Sequence, residues 1–238
     1  MNAPRPRLAY LLPNLFTAAS IFTGIVSIVH ASRGEFENAA WLIFLSLIFD
    51  GLDGRIARLT KTCSRFGLEF DSLADIVAFG AAPAMLLYFQ IGARYGRFGV
   101  LVSALFVVFG AIRLARFNVT DNCNDPTVFI GLPIPTAAVF VASGSLFVST
   151  TDSGTMALLL LGFSLPVALL MVSNIRYPSF KRIDLSRPLM LKTLVLLTLA
   201  ASIVYLYPAT GLVLIILAYI LYGPLRSLRV LLGGNLRP

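Results

Sequence analysis

The sequence is poor in the residues that most metal-binding and soluble proteins rely on. Its 238 residues include 2 Cys, 1 His and 1 Trp, and only 13% are charged. Two Cys without a nearby His do not form a zinc site, because structural zinc needs four nitrogen or sulfur ligands. The chain also lacks a Gly-rich phosphate loop, a heptad run and a low-complexity linker. These absences exclude a zinc centre, a P-loop nucleotide site and a coiled coil.

Acidic residues are scarce as well, and they are unevenly placed. Five of the 11 Asp and Glu residues lie in the segment from Asp50 to Asp75. Four of these five lie on stretches that are otherwise apolar enough to lie in a bilayer. A carboxylate in a membrane is energetically costly and therefore indicates a functional site.

Long hydrophobic runs dominate what is present. With 58% hydrophobic residues and a mean hydropathy of +0.86, the composition indicates an integral membrane protein. Eight apolar stretches lie at roughly 12–30, 39–59, 71–91, 98–114, 132–149, 155–173, 189–206 and 211–225. Several approach the ~20 residues that a span requires, whereas the last is short enough to be tilted, re-entrant or interfacial.

These runs predict an all-α integral membrane protein, a bundle of six to eight transmembrane helices. We expect one membrane-embedded domain over residues 1–238, with a motif-bearing core at about 10–175 and extra C-terminal helices at about 189–225.

The net charge of +8 comes mostly from Lys and Arg in short loops between the apolar runs. This placement favours lipid headgroups over nucleic acid as the partner. With the N-terminus in the cytoplasm, only Arg33, Arg94 and Arg97 fall on the opposite side. The positive-inside rule therefore predicts a cytoplasmic N-terminus, a multi-pass protein of the cell (inner) membrane, and an acidic segment that faces the cytoplasm. Cys63 and Cys123 then lie on the reducing side.

The spacing of the acidic residues predicts a cation site. Asp50 and Asp53 are three residues apart, and Asp71 and Asp75 are four apart, so each pair shares a helical face. A short turn between antiparallel helices would bring the faces together, and cations would have to neutralise the repulsion. Hard oxygen ligands favour Mg²⁺ or Mn²⁺, with Ca²⁺ as an alternative. Four carboxylates shared by two ions suit a two-metal clamp on a phosphoryl group.

The residues around the acids indicate a phosphorylated ligand. Small residues that leave room for a ligand near the backbone are Gly51, Gly54, Ala57 and Gly67. Arg58 can bind a phosphate through two hydrogen bonds, and the Ser64 hydroxyl can donate one. Together with the predicted cations, these residues suggest a nucleotide diphosphate substrate.

The segment from Asp50 to Asp75 fits the pattern D-x-x-D-G-x-x-A-R, eight residues, G-x-x-x-D-x-x-x-D at every fixed position. This pattern resembles the signature of the CDP-alcohol phosphatidyltransferases. The resemblance implies two divalent ions, one held by Asp50, Asp53 and Asp71 and the other by Asp50, Asp71 and Asp75. It also implies that Asp75 is the general base and that Gly54, Arg58 and Ser64 contact the CDP-lipid. We expect Ala57 and Gly67 to contact it as well.

The start of the first helix offers two further candidates. Asn14 and Thr17 are about one turn apart at the cytoplasmic end of this helix. One interpretation is helix-start chemistry, with Pro13 in the first turn and Asn14 as a cap. The other is that both side chains face the nucleotide, as the polar residues at the equivalent helix start do in the family.

Three sequence runs resemble the serine-using branch of the family. They are Ser-Leu-Ala-Asp-x-Val-x-Phe-Gly-x-Ala-Pro-Ala from Ser72, Arg-Leu-Ala-Arg-Phe-Asn from Arg113, and Gly-Leu-Pro-x-Pro from Gly131. The resemblance implies transfer of a phosphatidyl group from CDP-diacylglycerol to L-serine, with phosphatidylserine and CMP as products. It also implies a homodimer. Pro83 in the first run predicts a kink in the third span.

The sequence indicates less clearly which residues bind the alcohol that accepts the phosphatidyl group. Arg113 and Arg116 either stabilise the end of their helix, by its dipole and by snorkelling, or bind an acceptor carboxylate or a lipid phosphate together with Asn118. Alternative acceptors are glycerol 3-phosphate, inositol phosphate and choline. A different class of protein with the same intramembrane acids would be a divalent-cation transporter.

Overall fold

Helices follow one another along the chain with short connections. The computed structural model describes residues 8–60, 62, 64–120, 128–151, 153–178 and 187–232. The helices are α1 (Leu8–Ser32), α2 (Phe36–Thr60), α3 (Arg65–Asp75), α4 (Ala82–Gln90), α5 (Arg97–Thr120), α6 (Ile134–Thr151), α7 (Gly154–Val172), α8 (Arg187–Leu206) and α9 (Pro208–Leu232). A π-helical segment, Ile76–Ala81, joins α3 to α4, and a 3₁₀ turn, Gly92–Tyr95, precedes α5. Each predicted apolar stretch lies largely on one helical segment, which confirms the all-α prediction. Cys63 and Cys123 lie outside the described residues.

Six helical segments in the described part of the chain are long and apolar enough to cross a membrane. They are Leu11–Ser32, Arg65–Gln90, Arg97–Val119, Ile134–Thr151, Gly154–Val172 and Pro208–Ser227. The protein is therefore a multi-pass membrane protein, within the predicted range of six to eight spans. The expectation of a short last span is wrong, because α9 begins at Pro208, a residue suited to a first helical turn, and continues past Pro224.

A line of hydroxyl groups on α1 joins this helix to α2. The hydroxyls of Thr23 and Ser46 share a hydrogen bond of 2.7 Å, and the Ser27 hydroxyl donates to the carbonyl oxygen of Ala39 at 2.8 Å. All four residues are buried. Small and hydroxylated residues allow close helix contact inside a membrane, so α1 lies directly along the helix that carries Asp50 and Asp53.

The π-helical segment begins immediately after Asp75. Pro83 has no N–H group, and its ring crowds the carbonyl four residues earlier, so a regular α-helix is disfavoured there. The chain responds with a wider turn, in which the N–H of Ala82 donates to the carbonyl of Val77. The predicted disturbance at Pro83 is thus a local π-helix, a form that often occurs at functional sites.

Two short strands hold the start of α6 and the end of α7 together. β1 (Val128–Ile130) pairs antiparallel with β2 (Arg176–Pro178). Next to this pair, the N–H of Gly131 donates to Ile175 at 2.8 Å, and the N–H of Leu132 donates to Leu170 at 3.0 Å. The Gly-Leu-Pro-x-Pro run is therefore the link that fixes the start of α6 against the end of α7.

Replacing Gly131 should destabilise the protein. Its φ of +80° is unfavourable for other residues, and an added Cβ would lie 2.3 Å from the Met171 carbonyl oxygen. Gly34 has the same backbone conformation, with φ +81°, but an added Cβ there would meet nothing within 4 Å. We expect Gly34→Ala to cost about 1 kcal/mol and Gly131→Ala clearly more. Thermal unfolding of both purified variants in one detergent measures this; equal shifts in Tm would contradict it.

Candidate active site

The four aspartates converge at the cytoplasm-facing ends predicted for α2 and α3. One carboxylate oxygen each from Asp50, Asp53 and Asp71 lie within 4.8 Å of one another. The carboxyl group of Asp75 interacts with those of Asp50 and Asp71. The two helical faces predicted from the spacing therefore do meet.

Two oxygens of this cluster have no hydrogen-bond partner among the described residues. They are Oδ1 of Asp71 and Oδ1 of Asp75, and both are buried. Buried carboxylate oxygens normally have hydrogen-bond or metal partners, because leaving them unsatisfied is costly. The donor set contains only carboxylate oxygens, the ligands that hard divalent cations prefer. The residues present thus fit divalent cations.

Helix α1 fixes one of the carboxylates. The Thr17 hydroxyl donates to Oδ2 of Asp53 at 2.7 Å, and Thr17 and Asp53 are 3% and 5% exposed. A short bond to a charged acceptor in a buried position is among the stronger hydrogen bonds in proteins. Thr17 was predicted to face a nucleotide; in the structure it also orients a member of the acidic cluster.

A cavity of about 210 Å³ opens beside the cluster. It is lined by Pro13, Asn14, Thr17, Asp53, Gly54, Ala57, Arg58, Thr62, Ser64, Gly67, Leu68 and Asp71. All seven residues predicted to contact the CDP-lipid are in this lining. Their binding role stays a prediction, but the structure brings them together. Gly51 is not in the lining, and a Cβ added there would meet nothing within 4 Å, so its part in ligand access stays a prediction.

The glycines in the cavity wall allow polar side chains to come close to the backbone. Ser64 caps the start of α3, with its hydroxyl oxygen accepting from the N–H of Gly67 at 3.0 Å. A Cβ added at Gly67 would lie 3.2 Å from this oxygen and 3.5 Å from Oδ1 of Asn14. At Gly54, the same atom would lie 3.7 Å from the guanidinium of Arg58. A side chain at Gly67 would therefore crowd the Ser64 hydroxyl, whereas a Cβ at Gly54 would make ordinary contact with Arg58.

The three candidate acceptor residues differ in their surroundings. Arg113 is 8% exposed, stacks on the ring of Phe117 at 5.3 Å and interacts electrostatically with Asp75. Arg116 instead donates to the end of α7, to the carbonyl of Val172 at 3.3 Å and to the side chain of Asn174 at 2.7 Å. Arg113 thus interacts with the acidic cluster, and Arg116 contacts the end of α7.

The third candidate, Asn118, donates from Nδ2 to the hydroxyl of Ser72 at 2.9 Å. Ser72 follows Asp71 directly in α3, so Asn118 ties α5 to the acidic helix. An acceptor-binding role for Asn118 stays a prediction.

Sequence reasoning did not mark Tyr219, on α9. Its ring lies 5.7 Å from that of Tyr177 on β2. No motif marks it, because an aromatic residue on an apolar helix looks the same whether it faces lipid or a site.

Comparison with known proteins agrees with this geometry. The sequence model described as CDP-alcohol phosphatidyltransferase matches residues 10–173, which include the whole acidic cluster and every residue of the cavity wall. The chain belongs to the CDP-alcohol phosphatidyltransferase family. The resemblance of the Asp50–Asp75 signature is thereby confirmed at the level of the family.

Similar members of the CDP-alcohol phosphatidyltransferase family occur in bacteria and archaea. A CDP-diacylglycerol–serine O-phosphatidyltransferase of Helicobacter pylori is 52% identical over 219 residues, 91% of each chain. A protein of the same name from Methanocaldococcus jannaschii is 39% identical over 69% of this chain and 72% of its own. An archaetidylserine synthase of Methanothermobacter thermautotrophicus is 35% identical, over 75% and 74% respectively.

Proposed function

We propose that this phosphatidyltransferase makes phosphatidylserine and CMP from CDP-diacylglycerol and L-serine. The observation that carries the proposal is the convergence of four carboxylates beside a cavity of about 210 Å³ with an Arg and a Ser in its wall. The choice of serine is supported by the names of the bacterial and archaeal relatives, which extend over most of the chain.

The cavity beside the cluster would bind the nucleotide end of the CDP-lipid. Arg58 supplies a planar guanidinium, which suits a phosphate, and the Ser64 hydroxyl keeps its hydrogen for donation while its oxygen caps α3. Asn14 adds an amide at the same wall. The diacylglycerol part would then extend into the surrounding lipid.

Asp50, Asp53, Asp71 and Asp75 would hold two divalent cations, Mg²⁺ or Mn²⁺, with Ca²⁺ as the alternative. When bound, such cations neutralise the diphosphate and the negative charge that develops on the leaving CMP. Two observations support this assignment: the shared 4.8 Å neighbourhood and the unpaired oxygens of Asp71 and Asp75.

Asp75 would act as the general base. Its buried Oδ1 has no hydrogen-bond partner in the described structure, and Asp75 interacts electrostatically with Arg113. Asp75 would take the proton of the serine hydroxyl as its oxygen attacks the phosphorus that carries diacylglycerol. The new P–O bond to serine forms, the P–O bond to CMP breaks, and Arg113 would hold the serine carboxylate.

The orientation of the protein is part of the proposal. The distribution of Lys and Arg supports a cytoplasmic N-terminus, so the cavity beside Asn14 would open to the cytoplasm from the cell (inner) membrane. A homodimer and a single domain over residues 1–238 also stay predictions.

The acceptor assignment is tested by CMP release. Purified protein with Mn²⁺ or Mg²⁺ should release CMP from CDP-diacylglycerol when L-serine is added, and at least tenfold less, on the order of one pocket contact, with glycerol 3-phosphate, inositol phosphate or choline. Preference for another alcohol would contradict serine but keep the transferase chemistry. Cation flux in proteoliposomes without CDP-lipid would instead support a transporter.

A further inference from the structure

A second cavity lies at the end of the bundle opposite the acidic cluster. Its volume is about 160 Å³, well above the ~10–15 Å³ that a single water molecule needs. Its wall includes the start of α2, the ends of α4 and α6, the 3₁₀ turn and the start of α7, through Phe36, Gln90, Arg94, Ser149, Ser153 and Gly154. Because α2 runs from this cavity to Asp50, the two sites are roughly 20 Å apart along that helix.

The side chain of Gln90 has an unusual hydrogen-bond arrangement. Gln90 is 9% exposed, and its Nε2 donates to the carbonyl oxygen of Ser145 at 3.2 Å and to Oγ of Ser149 at 3.0 Å. Since a carbonyl oxygen only accepts, these bonds decide which end of the amide is the nitrogen. Oε1 is then left buried, with no hydrogen-bond partner among the described residues. Buried acceptors normally have a partner, so a ligand with a donor group is the candidate partner for this oxygen.

The other polar groups of the wall are donors. The Ser149 hydroxyl accepts from Gln90 and keeps its hydrogen for donation. Ser153 is the N-cap residue of α7, but its side chain makes no cap bond. The first N–H groups of α7, from Gly154 on, have no partner within the helix and form the positive end of its dipole. Arg94 is exposed and forms no ion pair with any described residue. Such a wall suits an anion.

The combination of a helix start, a guanidinium and hydroxyl groups is typical of phosphate binding. The cavity lies where the ends of four helices meet, which is the level at which lipid headgroups are found. A headgroup such as that of phosphatidylethanolamine carries an ammonium group beside its phosphate, and protonated phosphate carries a hydroxyl. Either would supply the donor that Oε1 of Gln90 lacks.

We propose that the cavity between Gln90 and Arg94 binds a phosphate group, supplied by a phospholipid headgroup of the leaflet away from the acidic cluster or by free phosphate. Arg94 and the start of α7 would hold the phosphate oxygens, and Gln90 would accept from the neighbouring donor group. A bound phosphate would connect α4 to α7 and stabilise this end of the bundle. The site shares no residue with the cavity proposed for the nucleotide.

The test measures Tm while phosphatidylethanolamine is titrated into purified protein in a phosphate-free maltoside detergent. The Tm of the wild type should rise, and Arg94→Gln should need on the order of tenfold more lipid for the same rise, the size expected for one lost charge-assisted hydrogen bond. Diacylglycerol, which has no phosphate, should leave Tm unchanged. An equal rise with inorganic phosphate would identify free phosphate as the ligand, and a rise with the lipid alone would identify the headgroup.

Arg97→Gln is the matched control for Arg94→Gln. Arg97 is exposed and lies close to Arg94 in the chain, but it is outside the cavity wall. Its variant should respond to lipid as the wild type does. Without lipid, all three proteins should have the same Tm, because neither arginine forms an ion pair with a described residue. A lower Tm of Arg94→Gln under these conditions would show that Arg94 bonds within the protein and would overturn the inference.

A second variant tests the start of α7. Because the Ser153 hydroxyl makes no cap bond, Ser153→Ala should leave the lipid-free Tm unchanged and weaken the response to phosphate a few-fold. The inference is overturned if neither probe raises the Tm of the wild type, if diacylglycerol raises it equally, or if Arg94→Gln and Arg97→Gln respond alike. None of these measurements uses turnover, so their failure is distinct from a failure to release CMP with serine.

Discussion

Asp75→Asn is expected to lower the rate of CMP release about a thousandfold, the usual contribution of a general base. The amide keeps the size of the carboxyl group but cannot take the proton of the serine hydroxyl. The affinity for CDP should change only a few-fold, because Asp75 is not in the lining of the cavity proposed for the nucleotide. CMP release and CDP binding, measured on the same preparation, separate the two effects.

The thermal stability of Asp75→Asn should rise or stay the same, although its activity falls. In the absence of divalent ions, the carboxylates of Asp50, Asp53, Asp71 and Asp75 repel one another, and Asn at position 75 removes part of that repulsion. With a chelator present, the Tm of Asp75→Asn should therefore equal or exceed that of the wild type. A loss of activity accompanied by a large loss of Tm would indicate misfolding.

Glu69→Gln is the matched control for Asp75→Asn. Glu69 is on the same helix, α3, but it is exposed and outside the cavity lining. The same change of carboxylate to amide should leave CMP release within twofold of the wild type, the range of neutral surface substitutions. If Asp75→Asn kept more than about a tenth of wild-type activity, Asp75 would not be the base.

The part of the site that could be predicted from the sequence is local in the chain. The convergence of Asp50 and Asp53 with Asp71 and Asp75 follows from helical periodicity and a short connection between α2 and α3. The cavity residues lie between Pro13 and Asp71, on α1, α2 and the start of α3. To predict such features, one needs to know only which segments are helices and that neighbouring helices pack together. The length and spacing of the apolar segments indicate both well.

The acceptor side could not be predicted in the same way, because its contacts join distant parts of the chain. Arg113 and Arg116 are both arginines, they lie on the same helix, and they are expected at nearly the same depth in the membrane. Their contacts differ in the structure, because the residues after α7 place the side chain of Asn174 where it can accept a hydrogen bond from Arg116. The contact of Tyr219 with Tyr177 likewise depends on how α9 docks on β2. The short pairing of β1 with β2 was also not foreseen, since three-residue strands leave no periodic pattern.

Asp50→Asn and Asp53→Asn should differ in how they respond to added metal. Asp50 shares the 4.8 Å neighbourhood with Asp53 and Asp71 and also interacts with Asp75, so we expect it to serve both cation positions. We expect Asp50→Asn to lower CMP release about a thousandfold at every Mn²⁺ concentration. Asp53→Asn removes a ligand from only one of the two cation positions, so a higher Mn²⁺ concentration should restore part of the activity of this variant.

Thermal unfolding gives a readout that does not depend on turnover. Saturating Mn²⁺ should stabilise the wild type, by about 2.7 kcal/mol at a hundred times its Kd for one site. This stabilisation should be absent in Asp50→Asn and reduced in Asp53→Asn. Thr17→Val keeps the shape but removes the hydroxyl that orients Asp53, and it should resemble a mild form of Asp53→Asn. If Asp50→Asn and Asp53→Asn shifted the Mn²⁺ dependence equally, Asp50 would not be shared, and the two-cation arrangement would have to be replaced by a single site at Asp50, Asp53 and Asp71.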